Sequence, residues 1–286
     1  MNSSLITSMV SMSALQQKLD IMADNMANLN TTGYKRKQAS FEDIINNLKQ
    51  QPEHFERQGR LSPLGYSQSW GARLAQVQYD LSQGALKESG VSTDLAIEGK
   101  AFFQVDANGQ VAYTRDGSFQ LAAVKGDADH LYLANSDGHL VQGVNGPIAI
   151  PKGQSMTIAP DGTVTAFSVN APQEAVAVGR IKLVVATKPQ FLQQIGNNLF
   201  IVPQEMNNAQ DQVVRDAVFP ADYNADDPNR TLSEPIAIRQ GWLEQSNVDL
   251  ADQMTETLMV QRAYQLSARA VSSSDTMMNL ANNLRG

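Results

Sequence analysis

The sequence predicts an α+β fold: helices at the two chain ends form a coiled-coil-like stem, and an all-β domain of antiparallel hairpins lies between them. Three observations carry this reading. Apolar residues at both ends recur with alternating spacings of three and four. Neither end segment contains glycine or proline. In the middle the apolar period drops to two, and the turns are rich in Asn-Gly and Asp-Gly.

The first segment runs from Ser3 to Asn30, with apolar residues at Leu5, Met12, Leu15, Leu19, Met22, Met26 and Leu29 and Ser8 in the one remaining slot. Such a stripe suits a helix lying along another helix. A second line through Ile6, Val10, Gln17 and Ile21 gives the helix a second contact face. Ser3 or Ser4 can cap its start. Asn30-Thr31-Thr32-Gly33 stops it, because glycine accepts the left-handed conformation that ends helices.

The far end mirrors this pattern. After a weak capping signal at Ser246-Asn247 and Asp249, one stripe follows Met259, Ala263, Leu266, Ala270, Ser273, Met277, Leu280 and Leu284. Another follows Val260, Tyr264, Ala268, Val271 and Met278. Ala, Ser and Met at these positions permit close approach but bury little area each, so these helices need partners to be stable.

Between the ends, short strands are expected at 73–80, 94–98, 102–106, 110–114, 118–122, 131–134, 139–142, 163–169, 175–187 and 198–202. Asn108-Gly109, Asp116-Gly117, Asp137-Gly138 and Pro160-Asp161-Gly162 are expected to turn the hairpins. In Phe102-Phe103 one ring is expected in the core and the other on a second contact surface. The domain organisation is then a helical part at 1–40 and 241–286, extended connectors at 41–72 and 204–240, and a central β domain at 73–203.

Composition narrows the function. The 286 residues carry 22 Lys and Arg against 29 Asp and Glu, a formal charge of −7, which speaks against a nucleic-acid partner. No apolar run is long enough to span a bilayer, and no basic patch with an apolar core marks a cleavable signal, so membrane insertion is not expected. Without cysteine there is neither disulfide nor thiolate chemistry.

Catalytic and metal-binding motifs are equally scarce. No phosphate-cradling, nucleophile-elbow or zinc-helix string occurs; the three histidines, His54, His130 and His139, leave little material for catalysis or metal binding, and His130 and His139, flanking an expected hairpin, read as ordinary surface or strand residues. Asp222-Tyr223-Asn224-Ala225-Asp226-Asp227 has oxygen ligands at alternate positions of a calcium loop. It lacks the glycine and the closing glutamate, and reads as a polar loop. Asp106 and Asp116 sit where turn formation alone asks for Asp. The expectation is no enzyme, no cofactor and no metal.

Three stretches are more specific. Ala23-Asp24-Asn25-Met26-Ala27-Asn28-Leu29-Asn30-Thr31-Thr32-Gly33-Tyr34-Lys35 resembles the N-terminal signature of flagellar rod, hook and hook-associated axial proteins. Gly241-Trp242-Leu243-Glu244-Gln245-Ser246-Asn247-Val248 with Gln261-Arg262-Ala263-Tyr264 is similar to their C-terminal signature. Asp94-Leu95-Ala96-Ile97-Glu98-Gly99, Phe102-Phe103 and Tyr113-Thr114-Arg115-Asp116-Gly117-Ser118-Phe119 resemble the β-domain hallmark of the rod and hook members. The departures are Asp24 for a usual Asn, Ala101 for a common Gly, and Gln265-Leu266-Ser267 after the Gln-Arg-Ala-Tyr run.

The resemblance implies a structural rod subunit whose terminal helices build a hollow shaft that transmits torque from motor to hook. The stretch from Phe41 to Gly84 favours the distal rod over the proximal. It further implies other rod and hook proteins as partners, a place in the basal body, and export by the flagellar type III apparatus. Assembly contacts are expected at the N-terminal stripe with Asn25, Asn28 and Gly33, at Leu243, Glu244 and Asn247, and at the C-terminal stripe with Tyr264. Gly33 would turn the chain out of the tube, while Asn25, Asn28 and Asn247 would tie up backbone groups at helix ends. Two rival readings are a secreted β-rich enzyme or binding module that oligomerises through its ends, and a hook or other axial subunit.

Overall fold

A computed structural model describes residues 2–45, 69–107, 109–124, 127–168, 171–196, 198–203, 213–217, 219 and 236–283. Leu284, His54 and the 222–227 loop lie outside the described residues, as does most of each expected connector. The chain divides into two compact units, Met1–Ala27 with Lys37–Gln78 and Asp249–Gly286, and Asn28–Arg36 with Tyr79–Val248.

Among the described residues, the first unit holds two helices and a β-ribbon. Helix α1 spans Asn2–Ala27 and helix α2 spans Leu250–Asn283. Helix α1 begins at Asn2, so Ser3 and Ser4 stand inside its first turn rather than before it. At α2 the cap is Asp249, whose Oδ1 accepts the N–H groups of Ala251 at 2.8 Å and Asp252 at 3.2 Å. Strands β1 (Lys37–Ile45) and β2 (Ser69–Tyr79) pair with each other. The expected strand at 73–80 therefore exists, but β1 is its partner. Phe41 is the only aromatic residue in β1, too little apolar alternation to reveal that strand in the sequence.

The second unit is β-rich, with every described pairing antiparallel. Its elements are β3 (Leu86–Glu88), β4 (Leu95–Glu98), β5 (Phe102–Ala107), β6 (Gln110–Thr114), β7 (Gln120–Ala122), β8 (His130–Ala134) and β9 (Leu140–Gly143). They continue with β10 (Gly146–Pro147), β11 (Ala149–Pro151), β12 (Gln154–Ile158), β13 (Thr163–Ser168), β14 (Ala171–Arg180), β15 (Leu183–Ala186), β16 (Gln193–Gly196) and β17 (Leu199–Ile201). Last come β18 (Val214–Asp216), β19 (Ala237–Gln240) and β20 (Trp242–Glu244). The main sheet runs β11-β8-β9-β5-β6-β17-β16, β12-β13-β14 form a second, and β4 and β3 each receive a strand from the chain's end, β19 and β20.

The turn chemistry mostly acts as expected. Gly138 and Gly162 adopt φ of +83°, Asp106 accepts the Gly109 N–H at 2.6 Å, and Asp161 accepts the Thr163 N–H at 3.0 Å. Asp116-Gly117 behaves differently. No β6/β7 hairpin forms there, because β6 pairs with β5 and β17 while β7 pairs with β8. Gly117 instead lies against β4: its carbonyl accepts the Leu95 N–H at 3.0 Å, and a Cβ on it would stand 1.6 Å from the Leu95 oxygen. The long strand expected over 175–187 divides at Ile181 into β14 and β15, and β15 crosses to pair with β5.

Two apolar cores result. Phe103, Leu95, Ile97, Val105, Leu133, Val141, Ile150 and Val164 fill the larger, and Phe102, Tyr113, Val184, Phe200 and Val213 the smaller. Both rings of Phe102-Phe103 are thus core rings, one in each cluster, and neither is a contact surface. Sheet alternation sends the two to opposite faces, and both faces are covered.

Candidate assembly interface

Helices α1 and α2 pack antiparallel. Lys18 pairs with Glu256 at 2.7 Å, the Thr257 hydroxyl meets the Met22 sulfur at 3.6 Å, and Asn25 donates to the Gln253 side-chain oxygen at 3.3 Å, so the last turns of α1 lie against the first turns of α2. Among the described residues, those buried in this unit's helices are Ala14, Met22 and Asn25 on α1 and Gln253, Val260 and Ser274 on α2. Small and polar side chains dominate. Full burial of an apolar side chain contributes about 1.5–3 kcal/mol, and only Met22 and Val260 supply that here.

The two lines of α2 separate cleanly. Gln253, Val260 and Ser274 are buried and Thr257, Tyr264, Ala268, Val271 and Met278 half-buried, on the same side of the helix. Roughly a third of a turn away, Met259, Leu266, Met277 and Leu280 are 52% to 64% exposed, with Ala270 exposed and Ala263 half-buried among them. On α1, Leu5, Met12, Leu15, Leu19 and Met26 are half-buried. The more apolar α2 stripe is therefore free of the α1 seam, and the more polar line makes it.

Asn25 ties α1 to the start of β1. Its Oδ1 accepts the Lys37 N–H and its Nδ2 donates to the Lys37 carbonyl, each at 2.9 Å, as a neighbouring strand would. Lys37 returns with an ion pair to Asp24 at 2.5 Å. The usual Asn at position 24 would lack that charge.

In the second unit the three signature stretches meet. Gly33 takes φ +68°, its N–H donates to the Glu244 carbonyl at 2.8 Å, and a Cβ on it would fall 2.4 Å from the Asp116 nitrogen. Thr32 donates to Asp116 at 2.8 Å, and Asn198 donates to the Thr32 carbonyl at 2.8 Å. Asn28 accepts from the Thr31 hydroxyl at 3.1 Å, a local bond within the turn after α1. Leu29 and Leu243 are half-buried. Asn247 accepts the Arg36 N–H at 2.7 Å and donates to the Asp80 and Ser82 carbonyls. It ties two neighbouring segments rather than the start of α2.

Glu244 sits at the centre. Its Oε1 accepts Lys35 Nζ at 2.7 Å and the Gly84 N–H at 2.9 Å, while Oε2 faces Arg115 Nη1 at 3.4 Å. All three charged side chains are 1% exposed. Lys35 also donates to the Ser82 carbonyl at 2.7 Å, and Arg115 reaches the Ile97 and Gly99 carbonyls. Burial, then the neighbouring Arg115, pulls the Lys35 ammonium down to about 8, against the attraction of Glu244. Burial likewise lowers Arg115. Burial pushes Asp80 up, but hydrogen bonds from Ser82 and the Arg36 guanidinium at 3.0 Å outweigh it, and the net shift is down.

Sequence reasoning placed Glu244 in the assembly contact set and left out Lys35, Arg115, Asp80 and Gln253. A signal was present: Lys35, Arg115 and Glu244 each stand inside one of the three recognisable stretches.

Three family models match the chain: flagella basal body rod protein over residues 5–35, the flagellar hook protein FlgE/F/G D1 domain over 96–166, and the flagellar basal body rod FlgEFG protein C-terminal over 239–284. The chain is 32% identical to the flagellar basal-body rod protein FlgG of Borreliella burgdorferi, covering 98% of each chain. It is 31% identical to the flagellar hook-basal body complex protein FlhP of Bacillus subtilis over 99% of each. A rod protein FlgG of Buchnera aphidicola is 30% identical over 93% of each.

Proposed function

Because the chain belongs to the flagellar basal-body rod protein family and is a structural subunit of that rod, assembling with other rod and hook proteins in the basal body, we propose that its exposed α2 face is the polymerisation surface. The α1 stripe of Leu5, Met12, Leu15, Leu19 and Met26 completes it. The observation that carries this is the apolar line of Met259, Leu266, Met277 and Leu280, left exposed by the helix pairing. Four large apolar side chains in water along one helix are costly unless a neighbour covers them. Repeated around a helical lattice, the helices then form a hollow shaft that carries torque from motor to hook.

The distal rod is favoured by the long stretch from Phe41 to Gly84. Export through the flagellar type III apparatus suits a chain without cysteine, which cannot be trapped by disulfides. A purely structural role follows the names of the relatives. The formal charge of −7 disfavours nucleic acid, and among the described residues no helix is long and apolar enough to cross a membrane. The functional division into helical ends, connectors and central β domain follows the same reading.

Leu266→Asp tests the surface. Leu266 is 64% exposed in the subunit, so the variant is expected to melt within about 1 °C of the parent, yet to abolish motility. A charge buried without a partner costs several kcal/mol at every lattice position. Normal swimming from this variant would exclude the α2 face as the contact.

A further inference from the structure

We propose that Lys35, Arg115 and Glu244 form a proton-operated clamp within the β-rich unit, holding residues 28–36 and 241–248 to the strand ends around Arg115 and tightening when Lys35 gives up its proton. Two cations share one carboxylate, and each side chain is 1% exposed. Glu244 Oε2 accepts no hydrogen bond, so the carboxylate is spent chiefly on Lys35 and the Gly84 N–H. Arg115 leans on backbone carbonyls instead.

The charges facing the site are few. Arg36 follows Lys35 and is paired with Asp80, which ends the link from β2, at 3.0 Å. Asp116 follows Arg115 and is bonded to Thr32 and Ser118. On β4, Glu98 is engaged by Arg239 of β19. Within the buried triad itself, Lys35 and Arg115 against Glu244 leave one positive charge in excess, and Lys35 is the member able to lose it. Arg115 cannot deprotonate in the ordinary pH range.

The sign follows from linkage. The Lys35 value in the fold, about 8, lies below its ordinary 10.5. Between those values the unfolded chain binds more protons than the folded one, so stability rises with pH across that window. Neutral Lys35 still donates to Glu244 and Ser82, and Glu244 then balances Arg115 alone.

Thermal melts of the full chain from pH 7 to 10.5 test the clamp, with Lys35→Met and Glu244→Gln beside the parent. The parent's melting temperature is expected to rise by several degrees relative to Lys35→Met between pH 8 and 10.5. Glu244→Gln, leaving two buried cations together, is expected to lose about 10 °C at pH 7, and adding Lys35→Met is expected to restore part of it. If Glu244→Gln does not fold, the Lys35 side-chain carbon resonance of the parent, titrated by NMR, still decides. A midpoint near 8 supports the clamp. A midpoint near 10.5, or parallel pH profiles for parent and Lys35→Met, overturns it.

Discussion

Gly33 and Gly117 do different work with the same missing Cβ. Gly33 needs its positive φ and its closeness to Arg115 and Asp116, whereas Gly117 needs only closeness, to the Leu95 carbonyl. Gly117→Ala is expected to cost about 3 kcal/mol, because β4 must move to admit the methyl group. Gly90→Ala, at φ +72° with nothing within 4 Å of the added carbon, should cost about 1 kcal/mol from backbone conformation alone. Urea unfolding of both variants checks the contrast, and equal losses would remove the packing argument. Asp-Gly at 116–117 reads as a turn in the sequence because turns favour that pair. Only the Leu95 backbone beside it reveals a close approach.

At the scale of elements, α2 shows how one helix carries two instructions. Its spacing announces two lines, and the structure assigns the more polar one to α1. Capping is a separate instruction: Asp249 holds two N–H groups of the first turn, so Asp249→Ala is expected to destabilise α2 by about 1 kcal/mol. Helicity of the variant by circular dichroism as urea is raised measures it. No loss would mean that packing alone sets where α2 begins. The expected strands 102–106 and 110–114 were legible because apolar alternation and Asn-Gly coincide there. Strands β1, β3, β19 and β20 were not, since their residues are short-range poor in pattern and are held by pairing partners far along the chain.

For the whole molecule, burial is uneven. The β-rich unit has two cores of large apolar side chains, while the helical unit is joined largely by small and polar ones. Hydrogen exchange of the isolated subunit is therefore expected to be faster across residues 2–27 and 250–283 than across β5, β8, β9 and β13. Equal protection would mean the helices need no lattice, and would favour the rival reading of a self-sufficient secreted module.

The sequence by itself determined the α+β class, both helices, most hairpins and the rod family, because period, turn residues and signature stretches are local properties. Tertiary structure decided which stripe of α2 faces α1, why both Phe102 and Phe103 are core, and that Glu244 belongs to a buried charge cluster. Those outcomes depend on which segments meet from far along the chain: Lys35 stands 80 positions from Arg115 and 209 from Glu244, and Asn25 stands 228 from Gln253. Spacing along a chain carries no record of such meetings. Desolvation, the force that sets the state of Lys35, exists only once the segments have closed around it.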